Sequence, residues 1–500
     1  MSKKERAILE VVKKIKNGSI KSKKDLEAFK LDIGRKYSLP DLLKNSEIYE
    51  RFESPSKKIK KLLSIKPTRT GSGVANIAVM CKGKCPGKCI YCPKGENSPQ
   101  SYTGAEPATL RAKLNNYDPY KQAKNRLEQL KSIAHPTDKC ELIIMGGTFP
   151  SYDFDYQKKF IKRCLDAFNE KKSKNLKKAK KINEKAKNRV VGLTIETRPD
   201  YVDIDKLLKL GTTRVEIGVQ TTDNKLLEKI KRGHKIEDVK NVTKKLKNAG
   251  LKVCYHWMPG LTGLNKEINF EKEIADFKKL FEDDELKPDE LKIYPTLVIP
   301  NTKLYDLYKQ GKYKPISIKK MKKLLIELKR LVPKYVRIKR VMRDISQKEV
   351  VAGPGVTNLR QLAKQEMNKH NIKCNCIRCR EIRNKDIENP ELKILNISKR
   401  EKFLSFVDEE KLIGFLRLRL LDKKVLVREL HIYGPSLKIN EEYKAAQHSG
   451  FGKKLLKKAE KIAKEKGKDL VQVTSGIGVR EYYRNLGYKL KNNYMIKRLN

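Results

Sequence analysis

Six short runs of β-branched and apolar residues, each followed by a polar loop and then a helical pattern, constrain this chain more than any other feature. They are GVANIAVM (73–80), CELIIM (140–145), RVVGLTIE (189–196), TRVEIGV (213–219), LKVCYHW (251–257) and LKIYPTLVI (291–299). Strands that alternate with helices form a parallel sheet, because each right-handed crossover returns the chain to the same end. Six units are too few to close an eight-stranded barrel. The expected fold is therefore α/β, with an open partial (β/α)6 barrel whose working loops leave the C-terminal ends of its strands.

Just past the first run the chain reads CKGKCPGKCIYCPKG (81–95). Ten cysteines in 500 residues are not disulfide density, and seven of them fall into two tight groups. That usage points to metal or catalytic sites in a reducing compartment. Cys85, Cys89 and Cys92 form C-x3-C-x2-C, and three thiolates on one short loop can hold three corners of a 4Fe–4S cluster. The fourth iron then stays open, whereas an electron-transfer ferredoxin closes it with cysteine. An open iron can chelate S-adenosylmethionine and cleave it by one electron, so radical-SAM chemistry is expected. A zinc ribbon would instead need two separated cysteine pairs. Cys81 lies one more x3 step upstream; the compact spacing favours Cys85 but leaves the choice slightly open.

Two features support this reading. MGGTF (145–149) ends the second run, and Gly146 and Gly147 either let backbone approach the methionine moiety closely or form a plain tight turn. Glu196, Arg198 and Gln220 end the third and fourth runs, where polar side chains would face the barrel interior and touch the cofactor.

Composition matters for partners. With 115 Lys and Arg against 60 Asp and Glu, the net charge of +55 favours a polyanion over a neutral ligand. Residues 1–61 carry 18 basic and 9 acidic residues on helical patterns such as Ile8, Val11, Val12 and Ile15. The stretch 171–189 has ten basic residues and one acid, and reads either as a solvated helix or as a phosphate-contacting surface. No signal peptide or membrane-length apolar run is found, so a cytoplasmic protein is expected.

From about residue 391 the pattern changes to hairpin-like strands. QHSGFGKKLL (447–456) then gives Q-x-x-G-x-G before a helix with Leu455, Leu456, Ala459, Ile462 and Ala463 on one face. Bare N–H groups at such a helix start are suited to a pyrophosphate. The flanking strands VRELHIYG and DLVQVTSG and the segment VREYYRNLGY give an order similar to an acyl-CoA-binding GNAT acetyltransferase domain. In that arrangement the strand before the turn splays to admit the pantetheine arm. Tyr482 and Tyr483 are either core aromatics or groups at the thioester.

A barrel of this kind fused to a GNAT domain is a rare pairing. With CPGKCIYCPKG, SYTGAEPATLRA, MGGTF, ETRPD, EIGVQ, YHWMPGL, YPTLVI, ELHIYG, QHSGFG and YYRNLGY, the chain resembles the Elongator catalytic-subunit family in its archaeal form over about residues 70–500. The resemblance implies formation of 5-carboxymethyluridine at the tRNA wobble uridine from acetyl-CoA, by radical abstraction from the acetyl methyl group. It implies cluster binding by Cys85, Cys89 and Cys92, and acetyl-CoA binding by Glu429, Leu430, His431, Ile432, Phe451, Gly452, Lys453 and Tyr483, to which the Q-x-x-G-x-G motif adds Gln447 and Gly450. It also implies that Lys139 reaches the CoA from the barrel side, and that the barrel site faces the GNAT cleft. Cys374, Cys376 and Cys379 form C-x-C-x2-C, suited to a structural zinc, with His370 a candidate fourth ligand.

The organisation this implies is a basic helical tRNA-binding region (1–65), the barrel (66–335), a linker with the zinc site (336–390) and the GNAT domain (391–500). An electron donor for the cluster is required; accessory subunits are compatible with the sequence but not implied by it. Two other classes remain: a protein lysine acetyltransferase using the GNAT domain alone, and a non-catalytic tRNA-binding scaffold.

Overall fold

The computed structural model describes residues 1–64, 73–83, 85–383, 385–433 and 450–499. At the N-terminus, helices Lys3–Lys16 and Lys23–Lys36 start at capping boxes, Ser2 with Glu5 and Ser22 with Asp25. Their inner faces bury Ala7, Val11, Leu26 and Ile33 against Leu43 and Ile48, in a core separate from the rest of the chain.

The central sheet comprises β1 (Ala75–Met80), β2 (Lys139–Met145), β3 (Arg189–Thr197), β4 (Arg214–Gln220), β5 (Lys252–Trp257), β6 (Glu290–Ile293) and β7 (Arg337–Val341). All neighbours are parallel and follow chain order, as a half-barrel requires. The predicted six strands are thus corrected to seven, and the seventh lies inside the segment expected to be linker. Its sequence, RIKRV, hides the strand because its basic side chains find half-buried acids: Arg337 pairs with Glu381, and Lys339 lies 3.6 Å from Glu141. The sixth run is shorter than expected, ending at Ile293.

The second sheet holds β8 (Pro390–Ser398), β9 (Glu401–Asp408), β10 (Lys411–Leu420), β11 (Val425–Ile432), β12 (Leu470–Val473), β13 (Lys489–Lys491) and β14 (Tyr494–Arg498). Its order is β13-β14-β12-β11-β10-β9-β8, and only β11–β12 is parallel. Helix Phe451–Glu465 buries Phe451, Leu455, Leu456 and Ala459 on it.

This domain docks on the N-terminal ends of the barrel strands. An added Cβ at Gly476 would lie 2.0 Å from the Val191 carbonyl of β3, and one at Gly250 would lie 2.1 Å from the Thr474 hydroxyl. Asp289, just before β6, pairs with Arg428 at 2.6 Å and Arg417 at 3.5 Å, and Lys252 pairs with Glu429 at 3.1 Å. The 171–189 stretch takes part. Its helix Leu176–Asn183 buries Ala179 and Asn183, and Glu184 meets Arg480 at 3.2 Å and Arg484 at 2.9 Å. Neither sequence reading of that stretch anticipated a domain contact. Among the described residues no helix is long and apolar enough to cross a membrane.

Candidate functional site

The cysteine loop leaves the C-terminal end of β1 and is held by the ends of its neighbours. Cys85 Sγ lies 3.2 Å from Thr148 Oγ1, beyond β2, and Arg232 donates to Cys89 Sγ at 3.4 Å from the turn after helix Asn224–Lys229. Cys85, Cys89 and Cys92 are half-buried and facing no disulfide partner. Cys81 is turned the other way. It is fully buried, its thiol donates to the carbonyls of Met145 and Gly146 at 3.3 Å each, and burial pushes it up to about 12. Gly146 has φ +113°, and an added Cβ would sit 2.4 Å from the Cys81 carbonyl, so this turn needs glycine. The Gly-Gly turn therefore packs on the cysteine loop itself.

The donor set suits a multi-iron cluster. Cys374, Cys376 and Cys379 bring their sulfurs within 4.8 Å of one another, as ligands of one ion do. The first group sets three half-buried thiols on one short loop, a donor set able to bind three irons of one cluster. Two buried polar atoms around the loop, Arg198 Nη1 and Gln220 Oε1, make no hydrogen bond among the described residues. Gln220 itself is buried with φ +71°, a costly backbone for a non-glycine residue that marks functional positions. His234, also buried here, is pushed down to about 3 by burial and by Arg232 and Arg198, so it stays neutral.

Below the loop the barrel interior is lined with alternating charges. Glu196 accepts from Lys292 at 3.0 Å and from Tyr102 at 3.3 Å. Lys292 also pairs with Glu216, which lies 3.0 Å from His256 Nε2. Burial alone would raise the Glu216 carboxyl, but Lys292 and His256 hold it well below the usual carboxylate range. Glu196, Glu216 and His256 come within 4.8 Å of one another, but the Lys292 ammonium already supplies the cation between the two carboxylates. Deeper still, Arg214 pairs with Glu290 at 2.6 Å and with Glu141. At the docking end, Lys252 of β5 pairs with Glu429 of the second domain.

The second domain carries the other half. β11 pairs with β12 only through Val425–Val427, while its pairing with β10 continues to Ile432. Glu429, Leu430 and His431 thus lie beyond the end of the β11–β12 ladder, where the sequence places the splay. The Glu429 carboxylate is committed to Arg417 at 2.9 Å and to Lys252. Gly450 caps helix Phe451–Glu465 with φ +75°, and an added Cβ at Gly452 would lie 2.9 Å from Tyr482 Oη. Tyr482 is 37% exposed, whereas Tyr483 is buried against Tyr488 at 5.8 Å between ring centroids. Gln447 lies outside the described residues, and Lys453 is on the first turn of the helix. Lys139 stands half-buried at the N-terminal end of β2, beside Arg189, on the docking end of the barrel.

In the second cysteine group, hydrogen bonds from Cys374 and Cys379 hold Cys376 well below the usual thiol range. His370 is not part of the group; its side chain faces solvent, 3.3 Å from Glu366. Sequence reasoning missed Arg232, Tyr102, His256 and Lys292. The buried-strand lysine in LKIYP was the one available signal, since a lysine seldom lies inside a sheet without a partner.

Four family models match the chain. They are the ELP3 N-terminal domain over residues 4–71, the Radical SAM superfamily over 81–270, the Radical_SAM C-terminal domain over 288–369 and the Acetyltransferase (GNAT) family over 374–488. The chain is 46% identical to the tRNA uridine(34) acetyltransferase of Methanocaldococcus infernus, over 99% of each chain. It is 38% identical to the Elongator complex protein 3 of Saccharomyces cerevisiae, over 93% of this chain and 90% of that one. Among solved structures, the archaeal Methanocaldococcus infernus Elp3 with an N-terminal deletion has a TM-score of 0.74 at 43% identity, covering 86% of this chain and 100% of that one.

Proposed function

The chain belongs to the family of the tRNA uridine(34) acetyltransferases and Elongator complex protein 3, a radical-SAM and GNAT enzyme family, and from that membership we propose that it builds a 5-carboxymethyl group on the wobble uridine of tRNA. The substrates are tRNA, acetyl-CoA and S-adenosylmethionine. The observation that carries this reading is that one chain sets three cysteines on the loop after β1 and docks a GNAT-type domain on the opposite ends of the same strands, through Asp289–Arg428 and Lys252–Glu429.

Cys85, Cys89 and Cys92 hold the 4Fe–4S cluster. When bound, the cluster and S-adenosylmethionine supply a carbon radical through one-electron cleavage. Gly146 and Gly147 shape the floor beside them, and Glu196 and Gln220 offer hydrogen-bonding atoms at the strand ends. The backbone N–H groups after Gly450 face the CoA pyrophosphate, with Phe451, Gly452 and Lys453 on that turn. The segment Glu429–Ile432 receives the pantetheine arm. Tyr482 is better placed than Tyr483 to meet the acyl end, because its hydroxyl overhangs Gly452. Lys139 approaches from the barrel side. Cys374, Cys376 and Cys379 hold a structural zinc. The enzyme works in the cytoplasm with a one-electron donor, and accessory subunits are compatible with it.

Acetylation of a protein lysine would use the second domain alone and leave the cysteine loop without a role. Anaerobic reconstitution with tRNA, acetyl-CoA and S-adenosylmethionine, followed by nucleoside mass spectrometry, separates the two. Carboxymethyluridine that depends on S-adenosylmethionine is the expected product. Peptide acetylation that needs neither iron nor S-adenosylmethionine would overturn the reading.

A further inference from the structure

Arg232 is buried, and its guanidinium is satisfied without a carboxylate. Nε and Nη2 donate to the Gly218 carbonyl at 3.1 and 2.7 Å, and Nη1 donates to Cys89 Sγ at 3.4 Å. Among the described residues no Asp or Glu pairs with it, whereas the other buried barrel arginines, Arg198 and Arg214, each have an acid. A buried cation without an anion is strongly unfavourable. The anion within its reach is the sulfur of a cluster ligand.

Arg198 approaches the same loop from the end of β3. Its Nε and Nη2 are held by Asp200 at 2.9 Å each, and Nη1 has no hydrogen-bond partner among the described residues. A Cβ built on Gly87 would lie 2.4 Å from that Nη1 and 3.4 Å from Cys85 Sγ. Two guanidiniums therefore flank the loop, and the one on Cys89 is the more completely buried from carboxylates.

We propose that Arg232 is a positioning residue for the cluster, and that its buried charge, donated to the Cys89 sulfur, raises the cluster's reduction potential. The inference rests on reading Cys85, Cys89 and Cys92 as 4Fe–4S ligands. Three thiolates around an oxidised cubane leave a net negative charge, and one added electron makes it more negative still. A fixed cation at hydrogen-bond distance stabilises the reduced form more than the oxidised one. The electron comes from a low-potential carrier of the ferredoxin or flavodoxin type, and no bond is made or broken in this step.

The test uses full-length wild-type protein, R232Q and R232K, reconstituted anaerobically, with iron content and an EPR-monitored potentiometric titration read for each. All three are expected to hold about four irons. The R232Q potential is expected to fall by at least the 59 mV that a tenfold change in a one-electron equilibrium represents, and R232K, which keeps the charge, to stay within that margin of wild type. An iron-replete R232Q at the wild-type potential would overturn the proposal, as would an equal drop in R232K. Should R232Q fail to load iron, R232K decides: a wild-type potential supports the charge role, and loss of iron there too shows an arginine that merely holds the loop. A wild-type protein without a cluster signal would refute the ligand reading itself, which the iron assay reports separately.

Discussion

Cys81 and Cys85 are four residues apart and face opposite ways. The Cys81 thiol, donated to two carbonyls and pushed up to about 12 by burial, stays protonated and fills the space under the Gly-Gly turn. Cys81→Ala should therefore keep the iron of the wild-type protein, while Cys89→Ala should lose it and retain zinc. Cys376→Ala should do the reverse, losing zinc alone. Metal analysis of the three purified proteins checks this, and joint loss of both metals in either of the last two would show one shared site. The cysteine groups were legible in the sequence because ligands of one centre sit close along the chain. Arg232, Lys292 and His256 were not, since each gains meaning from a side chain far away in sequence: Arg232 from Cys89 on the loop, Lys292 from Glu196 and Glu216, and His256 from Glu216.

The same distinction holds for whole elements. Five of the six runs became strands of nearly the expected length, because alternating apolar residues report burial directly. β7 escaped detection because its charges are buried opposite acids that lie far away in sequence. Gly450 at the head of helix Phe451–Glu465 makes a sharp prediction. Gly450 has φ +75°, so Gly450→Ala costs ~1–2 kcal/mol in backbone strain alone. Gly450→Glu adds a negative charge where bare N–H groups await a phosphate. Acetyl-CoA affinity measured by calorimetry should fall about tenfold further in the Glu variant than in the Ala variant, roughly 1.4 kcal/mol. The iron spectrum should be unchanged in both. Equal affinities for the two variants would mean that no anion binds at this helix start.

At the scale of the molecule, the join between domains is a set of buried ion pairs. Asp289 is their hub. Burial alone would raise its carboxyl, but Arg428 and Arg417 hold it below the usual range. A depressed carboxylate stabilises the fold above its unfolded pKa of about 3.9 and loses that contribution as pH falls below it. Thermal stability should therefore be flat from neutrality to about pH 5 and decline below about pH 4. Asp289→Asn leaves two buried guanidiniums undercompensated, so it should cost about 3–5 kcal/mol at neutral pH and blunt that acid decline. Scanning calorimetry across the pH range measures both effects. The N-terminal helices have a core of their own, so residues 1–61 can be removed without opening the barrel. That deletion should weaken tRNA binding, flatten its salt dependence and spare acetyl-CoA binding, as titrations at two ionic strengths will show. The expectation that the two sites face each other takes a different form here. The cysteine loop leaves the C-terminal ends of the barrel strands while the second domain docks on their N-terminal ends, with the length of β2, about 20 Å for seven residues, between those two ends. The bulge opposite Arg417 and Leu418 in β11 gives this arrangement a further consequence. It turns Arg428 toward the barrel, so an acetyltransferase domain borrowed from elsewhere, with a regular strand at that place, would present no matching cation. The two halves are not interchangeable modules, and neither can be swapped without redesigning the surface of the other.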